Sequence, residues 1–159
     1  MSAFGTYWTA YGGIRALLLS PYLSISGVFW ALCKPIWYDQ THEGFPWSDY
    51  ALSILPSMVS FSLGALAIFL AFSNENFLKL LRQKGSPQSF LIKVTAAFFH
   101  FIVVQFVALG LALLLIAYPT IFLSGLAFMS FVYALACGVA AAAALMDMAE
   151  ILNAAGRGD

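Results

Sequence analysis

The chain has 159 residues, seven Lys plus Arg against seven Asp plus Glu, only 9% charged side chains and 62% hydrophobic ones. Zero net charge and a mean hydropathy of +0.90 exclude an electrostatic nucleic-acid binder and an ordinary water-soluble domain, and make the lipid bilayer the expected solvent. No phosphate-binding loop, paired metal ligands or nucleophile motif occurs, so no enzyme activity, cofactor or metal is expected.

At the N-terminus, Phe4, Tyr7, Trp8 and Tyr11 recur at helical spacing and read as an anchor at the membrane–water interface, where rings with polar edges collect. The first apolar run, residues 16–33, follows Arg15 and stops before Lys34 and Pro35. It reads as a membrane span, because no basic cluster precedes it and Ala31, Leu32 and Cys33 make a poor cleavage site for a removable signal. The loop over residues 34–49 sets Lys34 against Asp39, Glu43 and Asp49, and holds Trp37, Tyr38, Phe45 and Trp47. With Trp30 these rings read as an outer aromatic belt. His42 is alone among the carboxylates, which matches no defined metal site.

The second run spans residues 50–72, with Ser53, Ser57, Ser60 and Gly64 as small packing positions and Pro56 as a site for a kink. Residues 73–84 then read as a short amphipathic segment. Ser73 is placed to cap it, Phe77, Leu80 and Leu81 form its stripe, and Lys79 and Arg82 lie off that stripe. Together with Lys84 and Lys93 they make this loop the basic one, and basic short loops stay in the cytoplasm. Gly85, Ser86 and Pro87 break the chain before the next span.

The third run, residues 94–117, and the fourth, residues 120–146, each exceed the roughly 20 residues that cross a bilayer. Only Tyr118, Pro119 and Thr120 separate them, so they must form an antiparallel hairpin. Counting outward from Pro119 sets Lys93 within a turn of Asp147, where an ion pair is expected at the inner edge, with Glu150 reaching towards Arg82 or Lys84. The same count sets His100 level with Gly138. Gln105, five residues further along, lies on another face, so His100 and Gln105 should not form one site. Ala134, Gly138 and Ala142 recur every fourth residue and Ala140 to Ala144 is unbroken alanine, which predicts close contact with neighbouring helices. Residues 147–159 are read as a cytoplasmic tail. Cys33 and Cys137 fall in opposite halves of the membrane, which argues against a disulfide between them.

The expected fold is therefore all-α: an integral membrane four-helix bundle with short loops and both termini cytoplasmic, forming a single transmembrane domain. The expected partners are the bilayer, further copies of the chain and a soluble cytoplasmic protein. In size and topology the layout resembles compact four-helix bacterial inner-membrane proteins that assemble into small oligomers, some of which serve as the membrane component of anti-phage defence or toxin-like systems. Two functions of different class follow. One is an oligomeric scaffold or sensor that docks its partner on Lys79, Arg82, Lys84, Lys93, Asp147 and Glu150. The other is an oligomeric ion channel lined by the fourth helix and gated by the same charges.

Overall fold

The computed structural model describes residues 3–42, 44–71 and 89–155. Over these residues the regular structure is helical, apart from an isolated bridge between Thr41 and Gly44. Four short helices come first: α1 (Ala3–Tyr11), α2 (Gly13–Leu18), α3 (Pro21–Leu32) and α4 (Lys34–Tyr38). Three long ones follow: α5 (Trp47–Ala71), α6 (Phe90–Ala117) and α7 (Ile121–Ala155).

Trp47–Ile68, Leu91–Ala117 and Ile121–Asp147 are each long and apolar enough to cross a membrane. Their outward surface fits that solvent, since Phe61, Ile68, Phe106, Phe122 and Val139 are all exposed. An apolar exterior of this kind would associate in water but is what hydrocarbon wets. Among the described residues the regular structure is helical, and three of the helices are those of a candidate membrane protein.

The expectation of an unbroken first span needs correction. Residues 16–33 are divided between the end of α2 and the whole of α3, and α3 has 12 residues. A helix of that length rises about 18 Å, short of a hydrocarbon core of about 30 Å. The break has a covalent cause. Proline disfavours the helical conformation in the residue before it, and Ser20 ahead of Pro21 adopts an extended conformation with ψ 126°. The other interruptions in this segment carry similar signals. Gly12, with φ of 96°, separates α1 from α2, whose first residue Gly13 also has a positive φ of 69°, and Pro35 lies in the first turn of α4. By contrast, Pro56 lies inside α5 without ending it.

The turn between α6 and α7 is as tight as expected. Tyr118 closes α6 by donating its backbone N–H to the Leu114 carbonyl at 2.8 Å. Thr120 then accepts the Leu123 N–H on Oγ1 at 3.3 Å and starts α7. Helix α7 runs on to Ala155, so much of the expected tail is helix. The expected amphipathic segment 73–84, with Lys79, Arg82 and Lys84, lies outside the described residues.

Among the buried residues of α6, Val94, Phe98, Phe101, Gln105, Ala108, Ala112 and Leu115 recur at alternating intervals of four and three, with Ala96, His100 and Ile102 buried beside them. That is the spacing of a seam between nearly antiparallel helices. Helix α6 packs on α5 and on α7, and α7 also packs on α3 and α4, while α1 lies on α6. Small residues set these distances: Ala51 on α5, Ala108 and Ala112 on α6, and Ala127 and Ala134 on α7 are buried almost completely.

Candidate functional site

The polar side chains inside this apolar body form three groups. At the Pro119 end, Trp47 donates its indole N–H to Ser124 Oγ at 2.9 Å, and Ser124 donates onward to the Trp37 carbonyl at 2.6 Å. Trp37 donates to the Trp30 carbonyl at 2.8 Å, and Trp30 to the Gly125 carbonyl at 2.9 Å. The Trp30 and Trp37 rings stack at 4.9 Å. Gly125 is required beneath them, because a Cβ there would stand 3.2 Å from the Trp37 ring. Trp37, Phe45 and Trp47 are buried. They form a hydrogen-bonded plug that closes the bundle, which corrects the expectation that they belong to a lipid-facing belt.

The second group joins α5 to α6 near the middle of the Leu91–Ala117 span. Gln105, with no exposed surface, donates from Nε2 to Ser62 Oγ at 3.0 Å. The Ser62 hydroxyl donates to the Met58 carbonyl at 2.6 Å, with Gln105 Oε1 a second acceptor at 3.3 Å. A primary amide in lipid must find such a partner. In sequence Ser62 has no mark that sets it apart from Ser53, Ser57 and Ser60.

The third group surrounds His100. Its Nδ1 lies 2.6 Å from the Tyr7 hydroxyl of α1, and its Nε2 lies 3.0 Å from the Tyr133 hydroxyl of α7. The Tyr11 ring stacks on the imidazole at a centroid distance of 4.0 Å. Three tyrosines thus cover a histidine that is about 6 Å from the midpoint of its span, four residues away at 1.5 Å per residue. An ordinary phenol titrates at about pH 10, so the Tyr7 and Tyr11 hydroxyls are both protonated near neutral pH. A neutral imidazole offers one N–H and one lone pair, so one of Tyr7 and Tyr133 donates to it and the other accepts.

Several sequence expectations can now be placed. His100 and Gln105 are in separate groups, as their angular separation requires. His100 does not pack on Gly138; that place is taken by Phe101, whose Cζ lies 3.0 Å from where a Gly138 Cβ would be. One residue turns a helix by about 100°, which carries His100 round to α1 and Tyr133. Tyr7 and Tyr11 are more than interfacial anchors, since their rings reach the His100 pocket. Ala134 is fully buried, Gly138 half-buried and Ala142 exposed, so the every-fourth-residue stripe leaves the core as it descends α7. Ser53, Ser57 and Gly64 are exposed on α5. Ser53 and Ser57 instead line a groove of about 500 Å³ with Ile54, Met58 and Phe61 of α5, Phe101 of α6 and Gly138 of α7. Lys93, Asp147 and Glu150 are exposed at the other end of the bundle, and no salt bridge joins them among the described residues.

A second cavity, about 320 Å³, opens at the Pro119 end between the loop residues Thr41, His42 and Phe45, Asp49 of α5 and Ile116 of α6. The described residues include no group of three or more metal-ligating side chains. Cys33 and Cys137 are free thiols.

Helical architecture and apolar exterior define the class: a helical protein with three candidate membrane spans and an apolar interior that holds a few hydrogen-bonded polar side chains. In comparison with known proteins, the chain matches no family model, no curated protein and no solved structure.

Proposed function

We propose that this protein is a non-enzymatic oligomeric membrane scaffold or sensor that docks a soluble partner on its cytoplasmic face. The observation that carries the reading is the uncovered face of α5. Ser53, Ser57 and Gly64 are exposed there, beside a groove floored by Phe101 and Gly138. Lipid gains nothing from small residues, whereas a second helix gains close approach. Self-association through this face would cover it. The core of the single chain is otherwise complete: every buried side-chain nitrogen and oxygen among the described residues has a partner.

In this reading the N-terminal segment is the fourth crossing, made in pieces. Tyr7 contacts His100 and Gln40 donates to the Pro119 carbonyl at 3.3 Å, two levels of α6 about 28 Å apart by helical rise. A fourth crossing puts both termini on the side of the basic loop, which is the cytoplasmic side. Lys93, Asp147 and Glu150 then face a soluble partner. The inner membrane of a bacterium, and a role as the membrane component of a defence or toxin-like system, fit this arrangement.

Exposure of Val139, Ala142 and Ala143 on α7 favours one other reading, an oligomeric channel lined by that helix. Both readings predict an oligomer, and one sample separates them. The mass of the purified protein in nanodiscs should exceed that of one chain, and Ser57→Leu should reduce it. A monomer would refute both. Ion flux in liposomes that Asp147→Ala alters would establish the channel. An electrically silent oligomer that captures a soluble protein through Asp147 and Glu150 would establish the scaffold.

A further inference from the structure

The grouping about His100 joins an element outside the long spans to the interior of the bundle. Helix α1 is held against α6 by the Tyr7 hydroxyl on His100 Nδ1 at 2.6 Å, by the Tyr11 ring stacked on the imidazole at 4.0 Å, and by Tyr7 packed edge-on against Phe99 at 5.0 Å. Immediately behind it the chain passes through Gly12 and Gly13, both at positive φ. Few rotations at those two residues would swing α1 away while leaving α2 in place. Tyr133, the other partner of His100, is fixed in the middle of α7.

We infer that Tyr7, His100 and Tyr133 form a proton-sensitive latch that holds α1 on the bundle while His100 is neutral and releases it when His100 is protonated.

The hydrogen-bond count gives the reason. With neutral imidazole, one tyrosine hydroxyl donates to the ring and the other accepts from it, so neither ring nitrogen is left over. With imidazolium both ring nitrogens donate and both hydroxyls must accept, so the hydroxyl that donated to the neutral ring loses its acceptor and must find another in an apolar pocket. A unit positive charge also appears inside a membrane span. The titratable groups facing the ring are Tyr7 and Tyr11 from α1 and Tyr133 from α7, with Cys137 one turn beyond Tyr133; none is an anion near neutral pH. On its own helix the nearest charge is Lys93, seven residues and about 10 Å away, exposed and of the same sign. The described contacts of His100 include no carboxylate to compensate the charge. An uncompensated charge at this depth draws water to itself. The movable wall of the pocket is α1. Its departure hydrates the ring and frees Tyr7 and Tyr11, so release should grow as pH falls. The latch works within one chain and stands whether or not the protein oligomerises.

The test is amide hydrogen exchange on the full-length protein in nanodiscs, at pH 8 and pH 5, with protection over Tyr7 to Tyr11 corrected for the chemical exchange rate. In the wild type, protection of α1 should fall at least tenfold at pH 5 while that of α6 and α7 holds. His100→Gln keeps a donor and an acceptor but does not titrate in this range, and should keep α1 protected at both values. Tyr7→Phe, which leaves the α6–α7 hairpin untouched, should lower protection of α1 already at pH 8 and flatten its pH response. Equal wild-type protection at the two pH values would overturn the latch. So would a drop that persists in His100→Gln, or, should that variant not fold, a Tyr7→Phe protein with the wild-type pH response.

Discussion

Gln105 and Ser62 bind each other at the middle of the membrane-spanning body, the amide nitrogen 3.0 Å from the serine hydroxyl, with both side chains closed to the exterior. Ser62 also bonds the Met58 carbonyl, whereas the described side-chain hydrogen bonds of Gln105 go to Ser62 alone. Ser62→Ala should leave the Gln105 amide unpaired and destabilise the protein, whereas Ser62→Ala with Gln105→Leu removes both polar groups and should be nearly neutral. Reversible unfolding in mixed micelles is the measurement. A coupling energy of about 0.6–1.7 kcal/mol is expected for an interhelical hydrogen bond, and a value near zero would mean that the bond contributes nothing.

Gly125 and Gly138 both lie under aromatic rings of other helices, but the rings differ in freedom. Trp37 above Gly125 is stacked on Trp30 and held by its own hydrogen bond, so it cannot retreat from a Cβ. Gly125→Ala should cost about 1–3 kcal/mol, the ordinary penalty of overpacking. Phe101 above Gly138 borders the open groove and can move into it, so Gly138→Ala should be nearly neutral once the gain in helix propensity of about 1 kcal/mol is included. Equal thermal shifts for the two variants would contradict this account of the rings.

Ser124 holds two tryptophans at once, accepting from Trp47 and donating to the Trp37 carbonyl. In Ser124→Ala the buried Trp47 N–H loses its acceptor, at a cost of about 1–3 kcal/mol. Tryptophan emission should shift with it, because Trp37 and Trp47 are two of the four tryptophans and both are buried. Unchanged emission and stability would show that the plug does not depend on this hydroxyl.

The two thiols differ in access, Cys33 being half-buried at the junction of α3 and α4 and Cys137 buried in α7. A maleimide should therefore modify Cys33 in the native protein and Cys137 only after unfolding. Intact mass after timed labelling reads this directly, and a native protein that takes up two labels at one rate would contradict the packing of α7 against its neighbours.

The apolar length of residues 94–117 and 120–146 by itself determined two candidate spans and the hairpin between them, because hydrocarbon favours a helical backbone and together the two runs are too long for one crossing, with Pro119 marking the break. It also determined that His100 and Gln105 lie apart, since five residues turn a helix far from its starting face. The breaks in the N-terminal segment were written at Gly12, Gly13 and Pro21, yet its apolar composition alone suggests one continuous span; backbone chemistry outweighed hydropathy there. Tertiary structure decided which partner each buried polar group takes. Gln105 faces Ser62 rather than another serine, His100 reaches Tyr7 and Tyr133 while Phe101 fills the place beside Gly138, and the loop tryptophans turn inward instead of towards lipid. Such choices depend on the rotation of each helix about its axis, and that is set by all the side chains of the interface together, with no single spacing in the sequence to record it.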